Sequence, residues 1–142
     1  MKIELGKHSS KTLLRVRYGE TDQMRIAHHS SYVAWLELAR IEWLRERSFR
    51  YAELEASGIA LGVAGMHIRY LHPAHFDDLI SVWSSLVDLK SRYLAFRYVI
   101  RGEDGCEIAT ASTDHVPIDR SGKVARLATS WQELLADYLE TG

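Results

Sequence analysis

The chain of 142 residues holds a single cysteine, Cys106. That excludes an internal disulfide framework and a zinc centre of four thiolates, and it suits a reducing compartment, so a cytoplasmic location is expected. A surplus of either charge is lacking too, since 18 Lys and Arg stand against 19 Asp and Glu for a formal net charge of −1. Proteins that bind through a phosphate backbone carry a basic excess, so nucleic acid is not the expected partner. Long apolar runs are also missing. Residues 1–8 contain nothing like the apolar core of a signal peptide, and nowhere do 18 apolar residues follow one another. A soluble protein without a membrane span is therefore expected. There is no repeat, low-complexity tract or linker, and residues 1–142 read as one domain.

What remains is ordinary globular material, 46% hydrophobic and 26% charged, enough to build a core. Over 12–18, Leu14, Val16 and Tyr18 alternate with Arg15 and Arg17, the period of two that marks a strand. The polar stretch 19–29 follows, ending in Ser30 and Ser31, either of which suits a helix N-cap. From Tyr32 to Arg47 there is neither Pro nor Gly. Tyr32, Leu36, Ala39 and Trp43 recur at helical spacing, while Trp35, Leu38 and Ile41 add apolar character on other sides. Such a helix is expected to be central and buried by several neighbours. A short helix over 51–57 is closed by Gly58.

The texture then changes to four strands over 61–71, 79–89, 92–101 and 107–118, with Asp104-Gly105 as a hairpin turn. Short connections predict antiparallel neighbours. Ser130-Trp131-Gln132-Glu133 matches a capping box ahead of a terminal helix. The expectation is an α+β fold: one antiparallel five-stranded sheet wrapped around one long helix, with a C-terminal helix added.

Polar residues concentrate in Tyr18-Gly-Glu-Thr-Asp22 and His28-His29-Ser30-Ser31-Tyr32. A carboxylate is already ionised at neutral pH, so Asp22 is able to attack an activated acyl group or deprotonate water without a serine-type triad. The start of the following helix offers unpaired N–H groups and positive dipole character for a developing oxyanion, and the His29 amide is the donor best placed for it. A loop Asp before a helix also serves commonly as a cap or turn former. His28 and His29, with His72 and His75, are conceivable metal ligands, but adjacent histidines point apart and no thiolate joins them. No metal or cofactor is expected.

The run from Tyr18 to Tyr32, continued by Trp35, Glu37, Ala39 and Arg40, resembles the signature of the hydroxybenzoyl-CoA thioesterase and YbgC-like branch of hotdog thioesterases. Ile68-Arg-Tyr70, Pro73-Ala74 and Asp78 extend the likeness across nearly the whole chain. The resemblance implies the hotdog fold, hydrolysis of an acyl-CoA thioester, and Asp22 as the catalytic carboxylate, nucleophile or general base. It implies an oxyanion-binding amide at His29, with Tyr18 and the His29 side chain lining the site. It also implies a homodimer at minimum, with a homotetramer of paired dimers as the expected assembly.

Lys90-Ser-Arg92 is the basic turn matching a CoA phosphate contact, with Arg69 and Arg97 as weaker candidates and Ser30 as a further substrate contact. The family usually has Gly where this chain has Arg25. Either the loop runs differently or the Arg25 side chain projects at the mouth of the acyl pocket and bears on the substrate. Glu37 is expected to be a buried, satisfied acid, and Tyr32 a packing residue. Two other functions use the same residues: a dehydratase or hydratase of acyl thioesters, and a non-catalytic domain that binds an acyl-CoA.

Overall fold

In the computed structural model, which describes residues 5–140, five strands make one antiparallel sheet. They are β1 (Ser10–Arg15), β2 (Ala60–Tyr70), β3 (Leu79–Lys90), β4 (Tyr93–Gly102) and β5 (Glu107–Ile118), in the spatial order β1-β3-β4-β5-β2. Three helices accompany them: α1 (His29–Glu46), α2 (Tyr51–Ala56) and α3 (Thr129–Ala136). Alternation places Ile80, Val82 and Leu86 of β3, Leu94, Phe96, Tyr98 and Ile100 of β4, and Ala109 and Ala111 of β5 in the core. Against them α1 lays Tyr32, Trp35, Leu36, Ala39, Trp43 and Leu44. The Trp43 ring meets Phe96 edge-on at 5.3 Å. Each fully buried large aliphatic side chain in this layer contributes about 1.5–3 kcal/mol.

The strands lie within a residue or two of their expected bounds except at the start. Val16 leaves the ladder of β1 because its N–H donates to Asp78 O and its carbonyl accepts from Asp77 N. Tyr18 then falls in a 3-10 turn, Tyr18–Glu20. Gly58 and Gly105 both take positive φ, 94° and 83°, as a helix stop and an Asp-Gly hairpin require.

Other expectations are corrected. The short connection between β2 and β3 does not make them neighbours. β2 pairs with β5, from Ala60↔Ile118 to Tyr70↔Ala109, and residues 71–78 cross the end of the sheet to reach β3. The long helix starts at His29 with His28 as N-cap and without a side-chain cap bond. Ser31 instead donates its hydroxyl to Glu20 O at 2.9 Å. In the single chain α1 is buried along one face, since Val33 and Leu38 are each 42% exposed and Glu37 is exposed rather than buried. The terminal helix is capped at Ala128, so Ser130 lies inside it and no capping box forms.

Candidate active site

The crossover 71–78 builds the site by pairing with the loop before α1. Ala27 N donates to Ala74 O at 2.8 Å, Phe76 N to Arg25 O at 2.9 Å, and Ile26 bridges His75. Ala74 is fully buried beneath this crossing. Within the loop Thr21 bridges Ala27, and Asp22 N donates to Ile26 O at 2.9 Å, which folds 22–26 into a tight hairpin.

The Asp22 carboxylate is oriented by that hairpin. Its Oδ1 accepts the Met24 and Ile26 amides at 2.8 and 3.1 Å, leaving Oδ2 outside these bonds on an exposed residue. Arg25 closes the hairpin with φ 62°. This is the left-handed region where Gly is at ease and a side chain costs about 1–2 kcal/mol. The Arg25 side chain is exposed.

Two residues after Ala27 the chain enters α1. The amides of the first turn of a helix have no intrahelical acceptor, and His28 makes no side-chain cap bond to them. Ser31 N is taken by His28 O at 3.1 Å. His29 and Ser30, both exposed, open the helix, and the Thr21–Ala27 bridge closes the base of the hairpin that carries Asp22 two residues before it.

Next to this helix start lies a cleft of about 260 Å³ lined by Ile26, Ala27, His29, Tyr32, Tyr70, Leu71, His72 and Pro73. The His29 ring meets Tyr70 at 4.7 Å and Tyr70 meets Tyr32 at 5.0 Å, both edge-on. Burial pushes the Tyr32 phenol up, and Tyr70 adds to the shift, so Tyr32 is protonated throughout the neutral range. The cleft combines apolar walls with a few polar groups, the character of a small-molecule site.

Asp22, His29, Ser30 and Arg25 are thus brought to one end of the sheet. Tyr18 is on the same loop, but its ring is 69% exposed and turned edge-on to Phe76 rather than into the cleft. Lys90 and Arg92 are not brought there within one chain. Tyr70 sits level with Ala109 and Leu94 with His115. The turn therefore lies roughly 20 Å away along the sheet, at about 3.4 Å per residue. Lys90 lies 4.0 Å from Asp88 and 5.6 Å from the Tyr93 ring. His72 Nδ1 is within hydrogen-bond reach of Glu107 O, and among the described residues no group of His, Cys, Asp and Glu is arranged to hold a metal. Nor is any described helix long and apolar enough to cross a membrane.

Tyr70 and Leu71 carry no site signal of their own in the sequence, because what places them is the long-range pairing of β2 with β5. Tyr32 packs in the core as expected and also lines the cleft. The aromatic at the end of an alternating strand was the available signal for Tyr70.

Residues 16–137 match the family model described as the thioesterase-like superfamily. The candidate acyl-CoA thioesterase YneP of Bacillus subtilis is 30% identical over 113 residues, 80% of this chain and 82% of that protein. A hypothetical protein of Thermus thermophilus superposes with a TM-score of 0.88 at 33% identity, covering 94% of this chain and 99% of the other. A DHNA-CoA thioesterase of Staphylococcus aureus also reaches 0.88, at 27% identity over 91% of this chain and 89% of its own. With the five-stranded sheet, the long helix and a family match spanning both, the chain belongs to the thioesterase-like superfamily and is a thioester hydrolase of the hotdog fold.

Proposed function

We propose that the protein hydrolyses an acyl- or aroyl-CoA to free acid and CoA, with Asp22 as nucleophile or general base and the His29 amide as oxyanion donor. The observation that carries this is a helix start without a side-chain cap, lining a largely apolar cleft through His29, and preceded by a hairpin whose carboxylate is held by two backbone amides. As the thioester carbonyl is attacked, its oxygen gains charge where the helix presents N–H groups and positive dipole, and CoA leaves as the thiol. A donor of this kind contributes about 3 kcal/mol. Tyr18, Ser30 and Arg25 lie around the same loop, Arg25 and Tyr18 on its exposed side.

The reading includes a second copy of the chain. β2 is an 11-residue edge strand without a neighbour on its outer side among the described residues. An open edge of that length is a template for pairing, and the exposed Val33 and Leu38 extend the uncovered surface onto α1. Two β2 edges related by a two-fold axis run antiparallel. The Lys90–Arg92 end of one sheet then falls at the Tyr70 end of the other, within reach of the CoA phosphates bound there. A dimer is the smallest assembly that completes such a site, and paired dimers would give a tetramer.

Asp22→Asn tests the reading, assayed by free-thiol release over aromatic, short-chain and long-chain acyl-CoAs. Loss of carboxylate function lowers kcat roughly 10²–10⁴-fold, with the melting temperature held. The same preparation, sized by light scattering, runs as a dimer or larger. Full turnover in the folded variant overturns the assignment, and a monomer at assay concentration overturns the shared site.

A further inference from the structure

Glu20 lies two residues before Asp22, and all three of its oxygens are engaged. Its main-chain carbonyl accepts His28 N at 2.9 Å and the Ser31 hydroxyl at 2.9 Å. Oε1 accepts Arg17 N at 2.8 Å, and Oε2 accepts Trp35 Nε1 at 2.9 Å and Arg17 Nη2 at 3.1 Å. The donors come from opposite directions. Arg17 belongs to the segment leaving the sheet, whereas His28, Ser31 and Trp35 are the N-cap, first turn and second turn of α1.

The carboxylate is 11% exposed, while the Arg17 side chain it pairs with is 79% exposed. Placing a carboxylate there is costly unless its lone pairs are filled, and here they are. Burial alone would push the Glu20 carboxyl up. The bonds from Arg17 and Trp35 outweigh it and leave the group below the usual carboxylate range, so it is ionised whenever the enzyme works near neutrality.

The two parts of the reaction centre sit on separate pieces of backbone. Asp22 is fixed inside its hairpin by Ile26 and Met24, and the His29 amide is fixed by α1. Alongside the covalent link through Ala27 and His28, the Thr21–Ala27 bridge and the crossover bonds to residues 25–27, Glu20 ties the segment that leads into the hairpin directly to the first two turns of α1. We propose that Glu20 is a positioning residue for thioester hydrolysis, setting the distance and direction of the Asp22 carboxylate relative to the first amides of α1. This rests on the reading that Asp22 and the helix start do the chemistry. The physical reason for such a device is steep: a displacement of about 1 Å between reacting groups can cost roughly 10²-fold in rate.

Three variants and one control decide it. Glu20→Gln keeps the shape but turns an NH₂ toward donors that Arg17 and Trp35 already supply. Trp35→Phe removes one of those donors and leaves the carboxylate. Glu20→Asp keeps the charge on a shorter arm. Measured well below the melting temperature, Glu20→Gln is expected to lower kcat about 10–100-fold with KM within about threefold. Trp35→Phe lowers kcat several-fold in the same pattern, and Glu20→Asp restores part of the loss. A carboxylate with only a structural role would depress the melting temperature and leave kcat per folded enzyme in place. If Glu20→Gln does not fold, Trp35→Phe carries the decision.

A kcat within twofold of the parent in folded Glu20→Gln, or in Trp35→Phe when that variant decides alone, overturns the positioning role. So does a loss confined to KM. Asp22→Asn in the same assay separates the two readings. If it abolishes turnover while Glu20 and Trp35 variants keep theirs, only the positioning role falls. If Asp22→Asn retains full turnover, both fall.

Discussion

The two ends of α1 are finished in opposite ways. At the C-terminal end the Arg47 guanidinium lies 4.0 Å from the Trp43 ring centroid and 5.1 Å from that of Tyr138. It donates to Trp43 O at 2.8 Å, Ser10 Oγ at 2.7 Å and His8 O at 2.6 Å. Three carbonyl or hydroxyl oxygens and two aromatic faces are bound by one cation, and β1, α1 and the segment after α3 are held together by it. At the N-terminal end His28 provides no side-chain cap bond, and His29 and Tyr32 line an open cleft. One end is bonded by the Arg47 cation and serves stability, while the other lacks a side-chain cap and borders the cleft.

Arg47→Ala breaks the C-terminal end. It removes two cation–π contacts and three hydrogen bonds, and stability is expected to fall by about 3 kcal/mol, with kcat per folded molecule unchanged at low temperature. Urea denaturation and thiol-release kinetics on the same sample check both halves.

The middle of the helix is tested by pH. There Arg40 donates to the Tyr98 hydroxyl at 3.2 Å; Tyr98 shares a hydrogen bond with Thr113, and His115 Nε2 lies 2.8 Å from Thr113 Oγ1. His115 is fully buried with Nδ1 unpartnered. Burial, and then the positive Arg40, push its imidazole down to about 3 from an ordinary 6.5. The native state therefore keeps His115 neutral while the unfolded chain binds a proton below 6.5. This contribution is complete above pH 6.5 and declines as pH falls toward 3, by about 1.4 kcal/mol per unit, or about 2 kcal/mol at pH 5. Denaturation series at pH 7.5 and 5 should show that decline, and His115→Gln should flatten it.

The smallest effect belongs to the open end. His28→Asp supplies the missing cap acceptor and a favourable charge at the helix start, worth about 1 kcal/mol of stability. The same carboxylate occupies the ground an oxyanion needs, so kcat/KM is expected to drop several-fold. A variant that gains stability and keeps full turnover would show that these amides are not used in the reaction.

These contrasts explain what the sequence disclosed. Period-two alternation locates β3 to β5 because each turns one face into the core, and Asp22 with His29 stands out because a carboxylate is spaced ahead of a helix start. The pairing of β2 with β5 was hidden, since spacing along the chain carries no information about a crossover. Ser30 and Ser31 have the composition of caps, yet the Ser31 hydroxyl is drawn away by the Glu20 carbonyl, a contact spanning 11 residues. Glu37 reads as interior because the helix is apolar nearly all round, yet it is exposed. In one chain that surplus of apolar residues faces outward at Val33 and Leu38.

The crossover also limits how this chain can change in length. From β2 to β3 it passes two intervening strands, roughly 14 Å at about 4.8 Å per step. Eight residues reach at most about 26–29 Å, and their backbone is already committed to Val16, Arg25 and Ala27. A deletion of several residues there could not bridge the sheet and keep those bonds, and an insertion would lift Ala74 from beneath the hairpin that carries Asp22. The Asp104-Gly105 turn has no such duty. Insertions and deletions in descendants of this sequence should gather at that turn, while the stretch 71–78 keeps its residue count.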